Sequence, residues 1–200
     1  MSRRPLGDQA IAGTVRRIVL GAVVCSVGLY GAALAQVSSN KPAAMDRLLD
    51  ALKTAPDAQT AAQLEARLQH DWLQAGSPAV TLLINRGLRL LETGETAGAV
   101  QSFSDAITLQ PEVAEAWHQR AIARYHAGDL NGAIQDLHET VRLQPRDFAA
   151  FRTLADIAAA QEDWKGAYAA WQKVMEIDPK TPNGEDRLRD LKRKALGEDT

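Results

Sequence analysis

Three stretches of the chain align without gaps at a spacing of 34 residues: Val80–Val113, Ala114–Asp147 and Phe148–Thr181. The same kinds of residue fall in the same columns. Leu83, Trp117 and Phe151 align as large apolar anchors. Gly87, Ala121 and Ala155 align as small residues, as do Ala99, Ala133 and Ala167. Phe103, Leu137 and Trp171 form a second large column, and Pro111, Pro145 and Pro179 close each stretch. A fixed period near this length is the signature of a stacked array of helix pairs.

Each stretch reads as two helices. In the second, helix A is predicted over roughly Ala114 to Ala127 and helix B over roughly Leu130 to Leu143. The small columns let two backbones approach where the helices cross, and the large columns fill the gaps beside them as ridges into grooves. Gly94 and Gly128 suit the left-handed conformation that ends helix A. Asp129 and Asp163 then stand where helix B wants an N-cap. Each proline stops helix B before the next unit begins. Arg120 on helix A and Asp136 on helix B are placed to pair across the crossing, because a partly buried arginine is rarely left alone. Arg86 has no such partner, since Ser102 stands at the matching position.

Several columns recurring together at one spacing resemble the tetratricopeptide-repeat (TPR) family, with three repeats in register over about half the chain. The chain departs from that pattern at Glu162, which replaces the turn glycine of the third unit. It departs again at Arg86 and Arg120, where leucine is more usual, and at Thr140, where alanine is. The resemblance implies an all-α, TPR-type α-solenoid of stacked antiparallel helix pairs, with helical caps at both ends.

The flanks complete the expected organisation. Residues 1–35 read as a signal peptide, with a basic stretch (Arg3, Arg4, Arg16, Arg17), an uncharged apolar run from Ile18 to Leu34, and a small-x-small site at Ala33-Leu34-Ala35. An uncleaved anchor is the alternative, as the run is nearly long enough to span a bilayer. The expected location is therefore the periplasm after cleavage past Ala35, or else the inner membrane with the repeats facing the periplasm. Residues 36–42 read as a linker. Residues 43–79 read as a helical hairpin that caps the first repeat (80–113), followed by the second (114–147) and third (148–181). Residues 182–200 read as a capping helix and tail, with Arg187, Arg189, Lys192, Arg193 and Lys194 on its water side.

Cys25 is the single cysteine and lies in the signal segment, so a processed chain has no thiol chemistry. Removing that segment takes four arginines and one aspartate from 23 basic and 25 acidic residues, leaving a net charge near −5. A mildly acidic chain argues against nucleic acid or an anionic membrane surface as the main partner. Membrane contact is expected only through an uncleaved anchor.

The TPR resemblance implies that the A helices line a concave groove and that a protein or peptide partner lies in it. The positions it picks out include Ile84 and Leu88 in the first unit, His118, Ile122 and Tyr125 in the second, and Arg152 and Asp156 in the third. The family also includes a clamp for chaperone C-termini, built on Lys and Asn in the first unit; Ile84 and Leu88 occupy those places here and exclude it. No HExxH, G-x-S-x-G or phosphate loop is present. His118 and His126, eight residues apart on one helix, are too distant to share a metal without another ligand. The sequence thus points to a binding scaffold with no catalytic residues, cofactor or metal. Self-association and a small bound ligand remain as alternatives.

Overall fold

The computed structural model describes residues 43–197. The expected signal peptide (1–35) and linker (36–42) lie outside the described residues. Among the described residues there are nine helices and no strand. A first helix, α1, covers residues 43–53, and α2 runs Ala58–Leu73. The three repeats supply α3 (Pro78–Glu92) and α4 (Thr96–Leu109), α5 (Ala114–His126) and α6 (Leu130–Leu143), and α7 (Phe148–Ala160) and α8 (Trp164–Ile177). The last helix, α9, is Gly184–Leu196. Within each repeat the two helices pack on each other, each B helix packs on the next A helix, and α8 packs on α9. No described helix is long and apolar enough to cross a membrane.

The helix ends follow the local chemistry. Gly94 (φ 79°) and Gly128 (φ 82°) end the first two A helices in the left-handed region. Glu162 takes the same turn in the third repeat at φ 60°, a conformation that costs a residue with a Cβ about 1–2 kcal/mol. Asp129 and Asp163 cap α6 and α8, each accepting a hydrogen bond from a glycine N–H at 2.9 Å. Asp147 caps α7 in the same way, accepting from the Ala150 N–H.

The crossing of each pair depends on the small column. A Cβ built on Gly87 would lie 2.5 Å from the ring of Phe103, which is fully buried. In the second repeat the corresponding pair is Ala121 with Leu137, both fully buried. Across the second crossing, Arg120 donates to both carboxylate oxygens of buried Asp136 at 2.8 and 2.7 Å. Arg124 reaches the same carboxylate at 2.8 Å, and the Arg120 guanidinium lies over the Trp117 ring.

The N-terminal hairpin does not cap the first repeat as expected. The end of α2 meets that unit through Leu73, and the turn after it through Gly76 and Ser77. Leu49 and Leu52 of α1 and Leu68 and Trp72 of α2 form one core with Phe148 and Ile177 of the third repeat. The rings of Trp72 and Phe148 are 5.4 Å apart. Arg146, ahead of α7, reaches back to Asp46 and Asp50 at 2.7 and 2.6 Å. The physical reason is the supply of apolar surface: Phe148 opens α7 with a ring that the other repeats lack at that position, and the hairpin carries the leucines that cover it. Burial of each such side chain is worth about 1.5–3 kcal/mol.

At the other end, α9 buries Leu191 against Trp171 and Val174. The Trp171 indole N–H donates to the Gly184 carbonyl at 2.9 Å. Arg187, expected on the water side, instead lies over the Trp171 ring and pairs with Asp156.

Replacing Gly87 by Ala should lower stability by about 1 kcal/mol in urea unfolding, because overpacking against Phe103 outweighs the gain in helix propensity. The double variant Gly87→Ala/Phe103→Leu copies the pair found in the second repeat and should recover most of that loss.

Candidate functional site

The inner surface of the array is built from one face of α3, α5 and α7. Positions three and four apart on a helix share a face, which brings Glu115, His118 and Ile122 of α5 beside Ala149, Arg152 and Asp156 of α7. The α2 helix lies against this surface. Together they enclose a cavity of about 310 Å³, lined by Trp72 and Leu73 from α2, by His118 and Ile122 from α5, and by Arg152 and Asp156 from α7, among others. That volume is at the lower end of what a small ligand or a single inserted side chain occupies.

The residues expected to contact a partner fall into three groups. Ile84 offers no surface: it is fully buried in the core of the first repeat, and Leu88 packs half-buried against the same core. Their helix is covered by its own B helix and by the end of α2. His118 and Ile122 do line the cavity, but His118 is only 5% exposed while Ile122 is half-buried. Tyr125 packs half-buried with Ile134 and Leu154 against the core between the second and third repeats. Arg152 and Asp156 line the cavity and are already engaged within the chain. Asp156 pairs with Arg187 of α9.

Arg152 is a junction. Its guanidinium donates to Glu65 of α2 at 3.1 Å and to the Thr181 hydroxyl at 2.7 Å, and it lies 5.4 Å from the Phe148 ring centre. Asp178, fully buried at the end of α8, has one carboxyl oxygen 3.8 Å from the same guanidinium. Its other oxygen accepts from the Lys180 N–H. Burial, and then the neighbouring Glu65 carboxylate, push Asp178 up to about 7. Burial also pushes Glu65 upward, but its bonds with Asp178 and Arg152 outweigh that and hold it below its usual value. Arg152 and these two carboxyls tie α2 to the third repeat.

A second buried cluster was not foreseen from the sequence. Glu115 and His118 on α5 meet Asp147, the cap of α7, and the three donor atoms lie within 4.8 Å of one another. The exposures are 7%, 5% and 1%. Burial pushes Glu115 above the usual carboxylate range, with the His118 charge opposing and the Asp147 carboxylate adding to it. The spacing of Glu115 and His118 was legible, but Asp147 is the last residue of their repeat and joins them through its place as the cap of α7.

No family model matches the chain. It is 24% identical over 163 residues to a TPR repeat-containing protein of Rhizobium etli, covering 82% of this chain and 80% of that protein. Among solved structures it is similar to the first TPR of Spaghetti (RPAP3) bound to the HSP90 peptide SRMEEVD. The TM-score is 0.56 at 19% identity, over 61% of this chain and 96% of that one. It is likewise similar to the Sgt2 TPR domain from Aspergillus fumigatus, with a TM-score of 0.56 at 22% identity over 61% of this chain and 82% of that one. The TPR2B domain of yeast Sti1 in complex with an Hsp70 peptide matches with a TM-score of 0.54 at 20% identity over 62% of this chain and all of that one.

These two shifted carboxyls set a pH dependence. Asp178 ordinarily titrates near 3.8 and is raised to about 7 in the folded chain. The stability it contributes is thus complete below about 4 and is lost as pH rises towards 7. Glu65 has the opposite sign, and its contribution is lost as pH falls through its lowered value. Thermal unfolding followed by circular dichroism should show stability declining between pH 5 and about pH 7. Asp178→Asn, which keeps an N–H donor facing Glu65 at every pH, should flatten that decline.

Proposed function

This chain has the tetratricopeptide-repeat fold, and from that premise we propose that it is a protein-interaction scaffold which takes a peptide or helix from a partner protein on its concave face. The observation that carries this is the cavity between α2, α5 and α7, half-open and walled on one side by Ile122 and on the other by Trp72 and Leu73. An apolar wall flanked by polar groups suits one inserted apolar side chain with hydrogen bonds around it. Two structural relatives, the first TPR of Spaghetti and the TPR2B domain of Sti1, are complexes with peptides by their descriptions, which supports this use of the fold. They do not indicate which peptide, because Ile84 and Leu88 stand where a carboxylate clamp would need polar donors.

The scaffold works in the cell envelope, as an adaptor or assembly factor, on the reading of residues 1–35 as an export signal. Mass spectrometry of the chain recovered from a periplasmic fraction tests this: an N-terminus at Gln36 is the expected result, and retention in the cytoplasm with Met1 intact would refute export.

A small ligand is the second reading, favoured by the modest cavity volume. A photo-crosslinking residue at Ile122 distinguishes the two. A defined envelope protein joined at that position, and not at exposed Leu109 on the first B helix, is expected. Ile122→Glu should reduce capture at least tenfold with helicity unchanged, because Ile122 is only half-buried. Crosslinking to nothing larger than a metabolite would favour the small ligand.

A further inference from the structure

The buried cluster of Glu115, His118 and Asp147 belongs to no interaction described above, and it goes beyond a scaffold function. Its charge is unresolved by the protein alone. Glu115 and Asp147 are two carboxylates more than nine-tenths buried, and among the described residues neither has a lysine or arginine within ion-pair distance. Every other buried carboxylate has a cation beside it: Asp136 has two arginines and Asp178 has Arg152. Buried charge without a counter-ion is costly, and removing that cost requires a proton or a cation.

Hydrogen-bond accounting makes the site directional. The Thr153 hydroxyl donates to the Ala149 carbonyl at 3.0 Å. Its oxygen lies 3.2 Å from His118 Nε2 and accepts from the ring in the tautomer that carries its proton there. In that tautomer Nδ1 carries a lone pair, and it faces the Asp147 carboxylate at 4.0 Å. A bare imidazole nitrogen aimed at carboxylate oxygens is repulsive for a neutral histidine and is the arrangement of a metal ligand, whose other ring N–H is held by an oxygen behind it. Glu115 is oriented in the same fashion: Gln119 donates to its Oε1 at 2.6 Å. Asp147 Oδ1 is held by the Ala150 N–H at 2.9 Å, leaving Oδ2 turned to the cluster.

The geometry points to a divalent transition-metal site, of the Zn²⁺ class, formed by Glu115, His118 Nδ1 and Asp147 Oδ2. Donors on a four-coordinate Zn²⁺ with bonds of about 2.0–2.2 Å are roughly 3.3–3.5 Å apart. The three donor atoms, already within 4.8 Å, need to close by at most about 1.5 Å. One imidazole and two carboxylates suit Zn²⁺, Co²⁺ or Mn²⁺ over soft thiophilic ions, and a dication cancels the two buried negative charges. Glu115 and His118 also line the cavity, which provides entry and room for water as a further ligand. The ion would join the start of α5 to the cap of α7, fastening the second repeat to the third.

Isothermal titration of the whole chain with Zn²⁺ at pH 7 tests this, with Co²⁺ absorption as a second probe and imidazole ¹⁵N NMR as a third. One equivalent is expected to bind, perturbing Nδ1 of His118 and none of His70, His126 or His138. Glu115→Gln and Asp147→Asn should each weaken binding at least about tenfold, with far-UV circular dichroism unchanged. Asn retains the capping oxygen at 147, so loss of the ligand and loss of the cap are separable. No binding overturns the assignment, as does equal binding by parent and variants. So does an NMR response confined to the other histidines. Since the NMR reading uses the unmodified chain, it stands even if a variant fails to fold.

Discussion

The contact between Trp72 and Phe148 sets the character of this molecule. It brings a hairpin that precedes the repeats against the last of them, and the concave surface is bounded by that choice. Because α2 lies there, groove positions that would face solvent in a bare array are either buried, as His118 is, or occupied, as Arg152 is by Glu65. A cavity beside Ile122 remains open between these helices. The proposed binding surface is thus bounded by the N-terminal hairpin as well as by the repeats.

Buried charge is distributed unevenly along this arrangement. The crossing of the second repeat holds Asp136 with two arginines, a satisfied network that specifies how α5 meets α6. The third repeat holds Asp178, pushed up by burial and by Glu65, with the single Arg152 3.8 Å away. The junction between the two holds Glu115 and Asp147 with only a histidine. Each step moves further from self-sufficient pairing. Stability needs the first kind of arrangement; the latter two make the folded chain responsive to what is dissolved around it.

The repeat architecture was legible because it is written locally and then repeated. Columns of small and large residues, the glycines at 94 and 128, and the caps at Asp129 and Asp163 all act within one unit. Arg120 with Asp136 was legible for the same reason. The placement of α1 and α2 was not, since their leucines at helical spacing state that they bury a face without stating against what. Phe148 was the available signal: it is an aromatic residue at a position held by Val80 and Ala114 in the other repeats. The groove residues suffered accordingly, for a position along helix A says which way a side chain points and nothing of what a distant segment lays over it. The Glu115–His118–Asp147 cluster was missed for a different reason: Glu115 and Asp147 stand at opposite ends of the second unit and meet only through the fold, whereas the periodic reading compares columns between units.

Stacked-repeat chains ordinarily behave as one-dimensional objects, in which each unit feels only its neighbours and the ends can unravel independently. The ion pairs from Arg146 to Asp46 and Asp50 break that rule by joining residues about a hundred positions apart. Opening of the third repeat removes Phe148 and Ile177 from the core that the first helices share with it. Such a closure turns a row of loosely coupled units into a single cooperative one. It also slows assembly, as the longest loop in the molecule must close before its most distant contacts form.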